Sequence, residues 1–339
     1  MYKKILVPLD GSRTAETVLP YAVEVVGRLG GQLILVKVSP PTSRCAGQFH
    51  HNYLAVVTEQ VRQIINYRFG EKTAAVQGQV LTGNPSLEIL RYSDDNNVEL
   101  IIMSGRGCYD DGPCIINGIA EKVLRAAHQS VLLVKSPAND RALQRKKLIK
   151  RILLPLDGSR TGEAAIPTAE MLGRLLDAEL VLLHVVVPSS LQFDSFHGFI
   201  TEEIAGLVDQ AAKGNEERIV DATEYLGNVS MSLKEKGLIS SIDIISGYPP
   251  DQIISYAEAN DIDLIAMSSH GWSGVMRWAF GSVTNKVLHA GRTPVLLVRA
   301  CKMTKGCQGN EFIRKSANER QADPHILSSP KLNTAYLAL

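Results

Sequence analysis

Apolar residues recur along this chain in short unbroken runs separated by longer stretches of helical period. In the first part, Lys4 to Pro8 is a short apolar run, Thr14 to Leu29 repeats its apolar positions every three to four residues, and Leu33 to Val38 is rich in β-branched side chains. Tyr53 to Phe69 is again helical in period, and Ala74 to Leu81 has strand character. Pro85 to Asn96 predicts a helix opened by proline, Glu99 to Ser104 a fully apolar strand, Ile115 to Ala127 a helix, and Val131 to Lys135 a last strand. The order then starts again. Strands are predicted at Arg151 to Pro155, Leu180 to Val186, Ile242 to Ser246, Asp263 to Ser268 and Val295 to Arg299, with a long second helix over about Thr201 to Lys236. Strands of this length without polar alternation are buried on both faces, which marks a parallel sheet covered by helices. Strand and helix in alternation predict a doubly wound α/β sandwich with right-handed crossovers.

The restart is literal. Lys-Lys-Ile-Leu-Val-Pro-Leu-Asp-Gly-Ser-Arg-Thr runs from Lys3 to Thr14, and Lys-Arg-Ile-Leu-Leu-Pro-Leu-Asp-Gly-Ser-Arg-Thr from Lys150 to Thr161. Glu121 to Leu124 is answered by Asn285 to Leu288, and Val-Leu-Leu-Val at Val131 to Val134 by the same four residues at Val295 to Val298. A period of about 150 residues is a whole-domain duplication, several-fold longer than a solenoid repeat. The chain is therefore two tandem five-stranded parallel sheets, at residues 1–136 and 148–300. Between them, Ser136 to Lys147 reads as a polar linker whose Arg145-Lys146-Lys147 is a solvated connector. Residues 301–339 have low hydrophobic density and predict a disordered tail.

Composition removes several function classes. Lys and Arg number 36, Asp and Glu 35, and the net charge of +1 gives no general pull toward nucleic acid or an anionic membrane. No apolar run approaches the ~18 residues of a membrane span. The N-terminal apolar stretch is too short for a signal peptide and meets Pro8 and Asp10 at once, so a cytoplasmic location is expected. Five cysteines without a Cys-x-x-Cys pair read as reduced thiols.

The candidate chemistry lies after the fourth strand of each repeat. In such sheets a ligand sits beyond the carboxyl ends of the strands, where the winding reverses; with strand one central, that is between strands one and four. In the second repeat, Met267-Ser-Ser-His-Gly-Trp leads to Gly271, and nine residues later to Gly281-Ser282 at the predicted start of a helix. Glycines let a backbone approach an anion closely. Ser282 and Thr284 offer hydroxyls, Arg277 a cation, and the free amides of a helix start carry partial positive charge. The spacing matches neither the dinucleotide fingerprint nor the P-loop.

With strand-one Pro-x-Asp-Gly-Ser, strand-two Leu-Leu-His-Val (Leu182 to Val185) and this loop in place, the chain resembles a tandem universal stress protein. The likeness is to the UspA-like, adenine-nucleotide-binding branch, whose motif is Gly-x-x-Gly, nine residues, then Gly-Ser or Gly-Thr. Here Ser268 replaces the first glycine. The resemblance implies a Rossmann-like fold of the adenine nucleotide alpha hydrolase type and ATP as ligand. Pro155 and Asp157 would contact the adenosine, Val185 would cover the base, and Met267 and Ser268 would line the nucleotide. Gly271, Gly281, Ser282 and Val283 would hold the phosphates, and Asp157 could approach a magnesium ion on them. One carboxylate is too few for a dedicated metal site. His270 reads as loop-structuring, His184 as a satisfied near-core histidine, and Trp272 and Trp278 as packing residues.

The first repeat departs from the motif. Gly107 matches Gly271, but Asn117 and Gly118 stand where Gly281 and Ser282 stand, so the hydroxyl is gone. Asp110 and Asp111 enter the loop and Pro113 replaces Arg277, while Arg106 offers partial compensation. Two negative charges beside a polyphosphate cost about 1 kcal/mol each when partly screened. A degenerate half that binds nucleotide weakly or not at all is expected, with a different ligand or a purely structural half as the alternatives. The functional expectation is an adenine-nucleotide-binding regulatory protein of the stress response, with an unidentified protein partner. The alternatives are an interaction module without a physiological nucleotide, or a slow ATPase, for which no positioned base or set of metal carboxylates is evident beyond Asp157 and His270. The two apolar last strands are expected to pair, so that one chain imitates a homodimer; further pairing of chains is allowed but not required.

Overall fold

The computed structural model describes residues 2–39, 46–70, 74–105, 116, 118–135, 147–188, 202–269 and 280–299. The predicted tail, the polar linker up to residue 146 and most of both glycine loops lie outside them. The first repeat runs β1 (Lys4–Pro8), α1 (Arg13–Glu16), α2 (Leu19–Leu29), β2 (Gln32–Ser39), α3 (Ala46–Phe69), β3 (Ala75–Thr82), α4 (Pro85–Asp95), β4 (Leu100–Ser104), α5 (Gly118–Ala126) and β5 (Ser130–Val134). The second runs β6 (Arg151–Pro155), a 3-10 turn (Gly162–Ala165), α6 (Ile166–Leu176), β7 (Glu179–Val186), α7 (Glu202–Glu235), β8 (Ser240–Ser246), α8 (Pro249–Ala259), β9 (Leu264–Ser268), α9 (Ser282–Ala290) and β10 (Val295–Val298).

The strand order is β3-β2-β1-β4-β5-β10-β9-β6-β7-β8, a single ten-stranded sheet. Each repeat contributes five parallel strands with its first strand central. The two last strands meet antiparallel, Val295 opposite Leu133 and Leu297 opposite Val131, as the apolar edges predict. Alternate strand residues feed two cores that both cross the seam. One holds Ile5, Leu35, Leu132, Leu154, Leu182 and Leu296, covered by α2, α3, α6 and α7. The other holds Leu6, Val36, Leu133, Leu183, Met267 and Leu297, covered by α4, α5, α8 and α9.

Two expectations need refinement. The helix predicted over Thr14 to Leu29 is broken into α1 and α2, with Pro20 in the first turn of the second piece. Proline lacks the N–H, and its ring would clash with the carbonyl four residues back, so a helix restarts there rather than passing through. The double burial of strands holds for β1, β2 and β4 but not for the outermost strands, since β3 and β8 keep exposed positions along their length. An edge strand has a neighbour on one side only, and polar or charged residues there discourage further pairing.

The seam has a direct consequence. All four residues of β10 are buried, and removing the first repeat would uncover their unpaired edge. Residues 147–299 expressed alone are expected to self-associate. Sedimentation velocity checks this; a monodisperse monomer at micromolar concentration would show that the edge needs no cover.

Candidate functional site

Strands β6 and β9 pair through only two residue positions, Ile152 opposite Leu264 and Leu153 opposite Ile265. Beyond Leu153 they part, because β6 continues to pair on its other side with β7 as far as Pro155 opposite Leu183. The parting opens a cleft of about 400 Å³ at the carboxyl ends of the strands, a volume suited to a small molecule. One wall is apolar, with Leu183, Val185, Ile253 and Met267. Pro155 ends the central strand at the cleft and Asp157 follows two residues on, Ser268 ends β9, and Gly281, Ser282 and Val283 bring the start of α9 to it. Eight of the nine residues implied by the family resemblance therefore line one cavity. The ninth, Gly271, lies outside the described residues, as do His270, Trp272, Arg277 and Trp278.

Local chemistry explains these placements. Asp157 Oδ1 accepts from the Ser159 amide at 3.0 Å and from Ser159 Oγ at 2.6 Å, and Ser159 Oγ accepts from the Gly162 amide at 3.0 Å. Gly158 turns the chain at φ +75°, a conformation costly for a side chain. Asp157 is thus held at the cleft mouth by its own turn. A Cβ on Gly162 would fall 2.5 Å from Asp157 Oδ1, so the glycine leaves room for the carboxylate where the first repeat has Ala15. At the other end, α9 is capped by Gly281, which has no side chain to bond the first helical amides. The residues that carry those amides line the cleft, so the positive end of the helix dipole lies beside it, an arrangement that favours an anion. Thr284 Oγ1 donates to the Ser268 carbonyl at 3.1 Å and fastens the helix to β9.

Two groups behave differently from their sequence readings. His184, expected to be satisfied, is half-buried at the cleft, and its Nδ1 has no hydrogen-bond partner. Burial lowers its pKa, against the opposing pull of the Leu156 carbonyl and Asp157. Its neutral form therefore contributes stability that is present above the ordinary value of 6.5 and lost as pH falls through the depressed folded value. The melting temperature of the full chain is expected to fall on acidification below pH 6.5 and to fall less in His184→Gln. Parallel profiles for the two proteins would remove His184 from the account.

The second group was missed. Tyr225 on α7 donates to Glu163 Oε1 at 3.0 Å, behind the Asp157 turn. Burial first, then the neighbouring carboxylates, raise the tyrosine pKa, and burial raises that of Glu163. The first repeat has the same pair, Tyr53 donating to Glu16 at 2.7 Å. The glutamates stand at equal places in the duplicated Thr-x-Glu segment, and that repetition was the available signal.

The first repeat shows the same splay, β1 and β4 pairing only at Ile5–Leu100 and Leu6–Ile101. Its cleft has the corresponding lining, including Pro8, Asp10, Val38, Met103 and Ser104, but a volume of about 90 Å³. Ala15 and Ile119 project into it where the second repeat has Gly162 and Val283. Its loop residues 106–115 and Asn117 are outside the described residues. Among the described residues, no group of three or more His, Cys, Asp or Glu is placed to hold a metal ion, and no helix is long and apolar enough to cross a membrane.

A tandem α/β fold with a cleft at each topological switch point is the class of protein that these features define. The chain belongs to the universal stress protein family, whose model matches residues 1–135 and again 148–299. A universal stress protein of Methanocaldococcus jannaschii is 28% identical over 156 residues, 45% of this chain and 96% of that protein. The crystal structure of a universal stress protein from Archaeoglobus fulgidus covers 88% of this chain and 99% of its own, with TM-score 0.59 and 20% identity. A universal stress protein solved in complex with cAMP matches 39% of this chain and 96% of its own, at 17% identity and TM-score 0.29.

Proposed function

We propose that this universal stress protein binds one adenine nucleotide, ATP, in the cleft of its second repeat, and that this binding governs a regulatory role in the stress response. The observation that carries the reading is the cleft between β6 and β9. It joins an apolar wall suited to a flat base, a fixed carboxylate at Asp157 suited to a sugar or amine donor, and the uncapped amides of α9 suited to phosphates. The base would lie against Val185 and Met267, and the phosphates at Gly281, Ser282 and Val283. A magnesium ion carried by the phosphates would meet one protein carboxylate, Asp157, and would owe most of its ligands to nucleotide and water. In this reading the first repeat holds no triphosphate.

Denaturing the purified protein and identifying released small molecules by mass spectrometry tests the reading, together with titration of stripped protein by ATP, ADP, AMP and GTP. Release of adenine nucleotide and preference for ATP over GTP are expected. A protein that releases none and binds none would instead be an interaction module, the reading that the narrow cleft of the first repeat favours for that half.

A further inference from the structure

Helix α9 reaches from the cleft to the seam between the repeats, and the first repeat touches it at both ends. At its C-terminal end, Lys135, the residue after β5, donates to the carbonyls of Val287 at 2.6 Å and Gly291 at 3.0 Å. Lys135 is 2% exposed. A buried cation on the last carbonyls of a helix satisfies orphan acceptors and complements the negative end of the dipole. At the N-terminal end, Phe280 immediately precedes the Gly281 cap. The Arg125 guanidinium of α5 lies 5.5 Å from the Phe280 ring centroid and that of Arg299 5.8 Å from it, within the range of a cation–π contact. Glu121 tethers Arg125 through two hydrogen bonds of 3.1 and 2.9 Å. The contact is reciprocated, because Arg299, the counterpart of Lys135, donates to the Leu124 carbonyl near the end of α5.

A helix of nine residues is stiff at this length. Holding its far end and the residue before its cap sets where its first amides point. We propose that the first repeat is an in-chain clamp on the nucleotide site of the second: Lys135 and Arg125 are positioning residues that aim the N-terminus of α9 at the phosphates of the ligand. The proposal rests on the nucleotide reading above. It gives the first repeat a role that needs no nucleotide of its own.

The test uses the full chain and compares wild type with Lys135→Met, Arg125→Met and the cation-preserving Lys135→Arg. Affinity is measured for ATP and for adenosine, which lacks phosphates, and amide hydrogen exchange is followed in the ligand-free proteins. Lys135→Met and Arg125→Met are expected to weaken ATP by about five-fold or more, the lower range of coupling between sites, while adenosine stays within about two-fold. Lys135→Arg is expected to recover ATP affinity, and exchange at the hydrogen-bonded amides Asn285 to Leu288 to quicken in both methionine variants. Arg125 is partly exposed at the surface, so its variant answers the question even where Lys135→Met folds poorly. Equal losses for ATP and adenosine would mean general loosening and would overturn the clamp, as would unchanged ATP affinity with unchanged exchange at Asn285 to Leu288. A wild type that binds no ATP would sink the nucleotide reading. Exchange alone would then decide whether the first repeat fixes the helix end.

Discussion

Gly281→Trp is expected to abolish ATP binding, a loss on the order of 100-fold or more, while the protein keeps its melting cooperativity. Gly281 sits at φ −57° and ψ 151°, angles open to any residue. The backbone therefore has no reason to move, and the effect comes from the side chain. An indole at the cap would occupy the cleft mouth, where Ser282 and Val283 present their amides. Isothermal titration with ATP reads the loss, and a thermal melt confirms the fold. Stoichiometric binding by this variant would place the nucleotide elsewhere.

Asp157→Ala is expected to weaken ATP by about ten-fold, the value of one hydrogen bond to a charged group, and Asp10→Ala to leave it nearly unchanged. The comparison is well controlled because the two carboxylates are built alike. Asp10 Oδ1 accepts from the Ser12 amide at 2.8 Å and from Ser12 Oγ at 2.6 Å, matching the 3.0 and 2.6 Å bonds of Asp157. Each substitution therefore removes the same local turn bonds. What differs is the cavity beside them, about 400 Å³ against about 90 Å³. Equal losses for the two variants would show that both halves bind nucleotide.

What could be read from the sequence, and what could not, follows the range of each interaction. The repeated first strand, the central place of that strand and the pairing of the two Val-Leu-Leu-Val strands follow from local patterns and from burial of unpaired edges. The place of the cleft was also legible, because a switch point is defined by strand order and because Ser268 ends a strand and Gly281 precedes a helix there; the individual lining positions came from the family resemblance. The broken helix at Pro20 was legible in principle, since proline in a helical run is a local signal. Long-range polar contacts were not. Lys135 and Val287 are separated by 152 positions, and nothing near Lys135 distinguishes a cation that caps a distant helix from one that ends a strand in solvent. Glu163 and Tyr225 are 62 positions apart; the repeated Thr-x-Glu marks the glutamate, but a tyrosine on a long helix carries no mark of its partner. His184 lies between these cases. Its apolar strand context predicted a buried ring, but only the packed cleft shows that one nitrogen is left without a partner.

The proposed function requires a single adenine-nucleotide site in the second repeat. Calorimetric titration of the stripped full-length protein with ATP tests it most directly, because one curve returns both affinity and stoichiometry. One ATP per chain is expected, with the isotherm flattened in Gly281→Trp and preserved in Asp10→Ala. Two ATP molecules per chain, or an isotherm lost in Asp10→Ala and kept in Gly281→Trp, would contradict it.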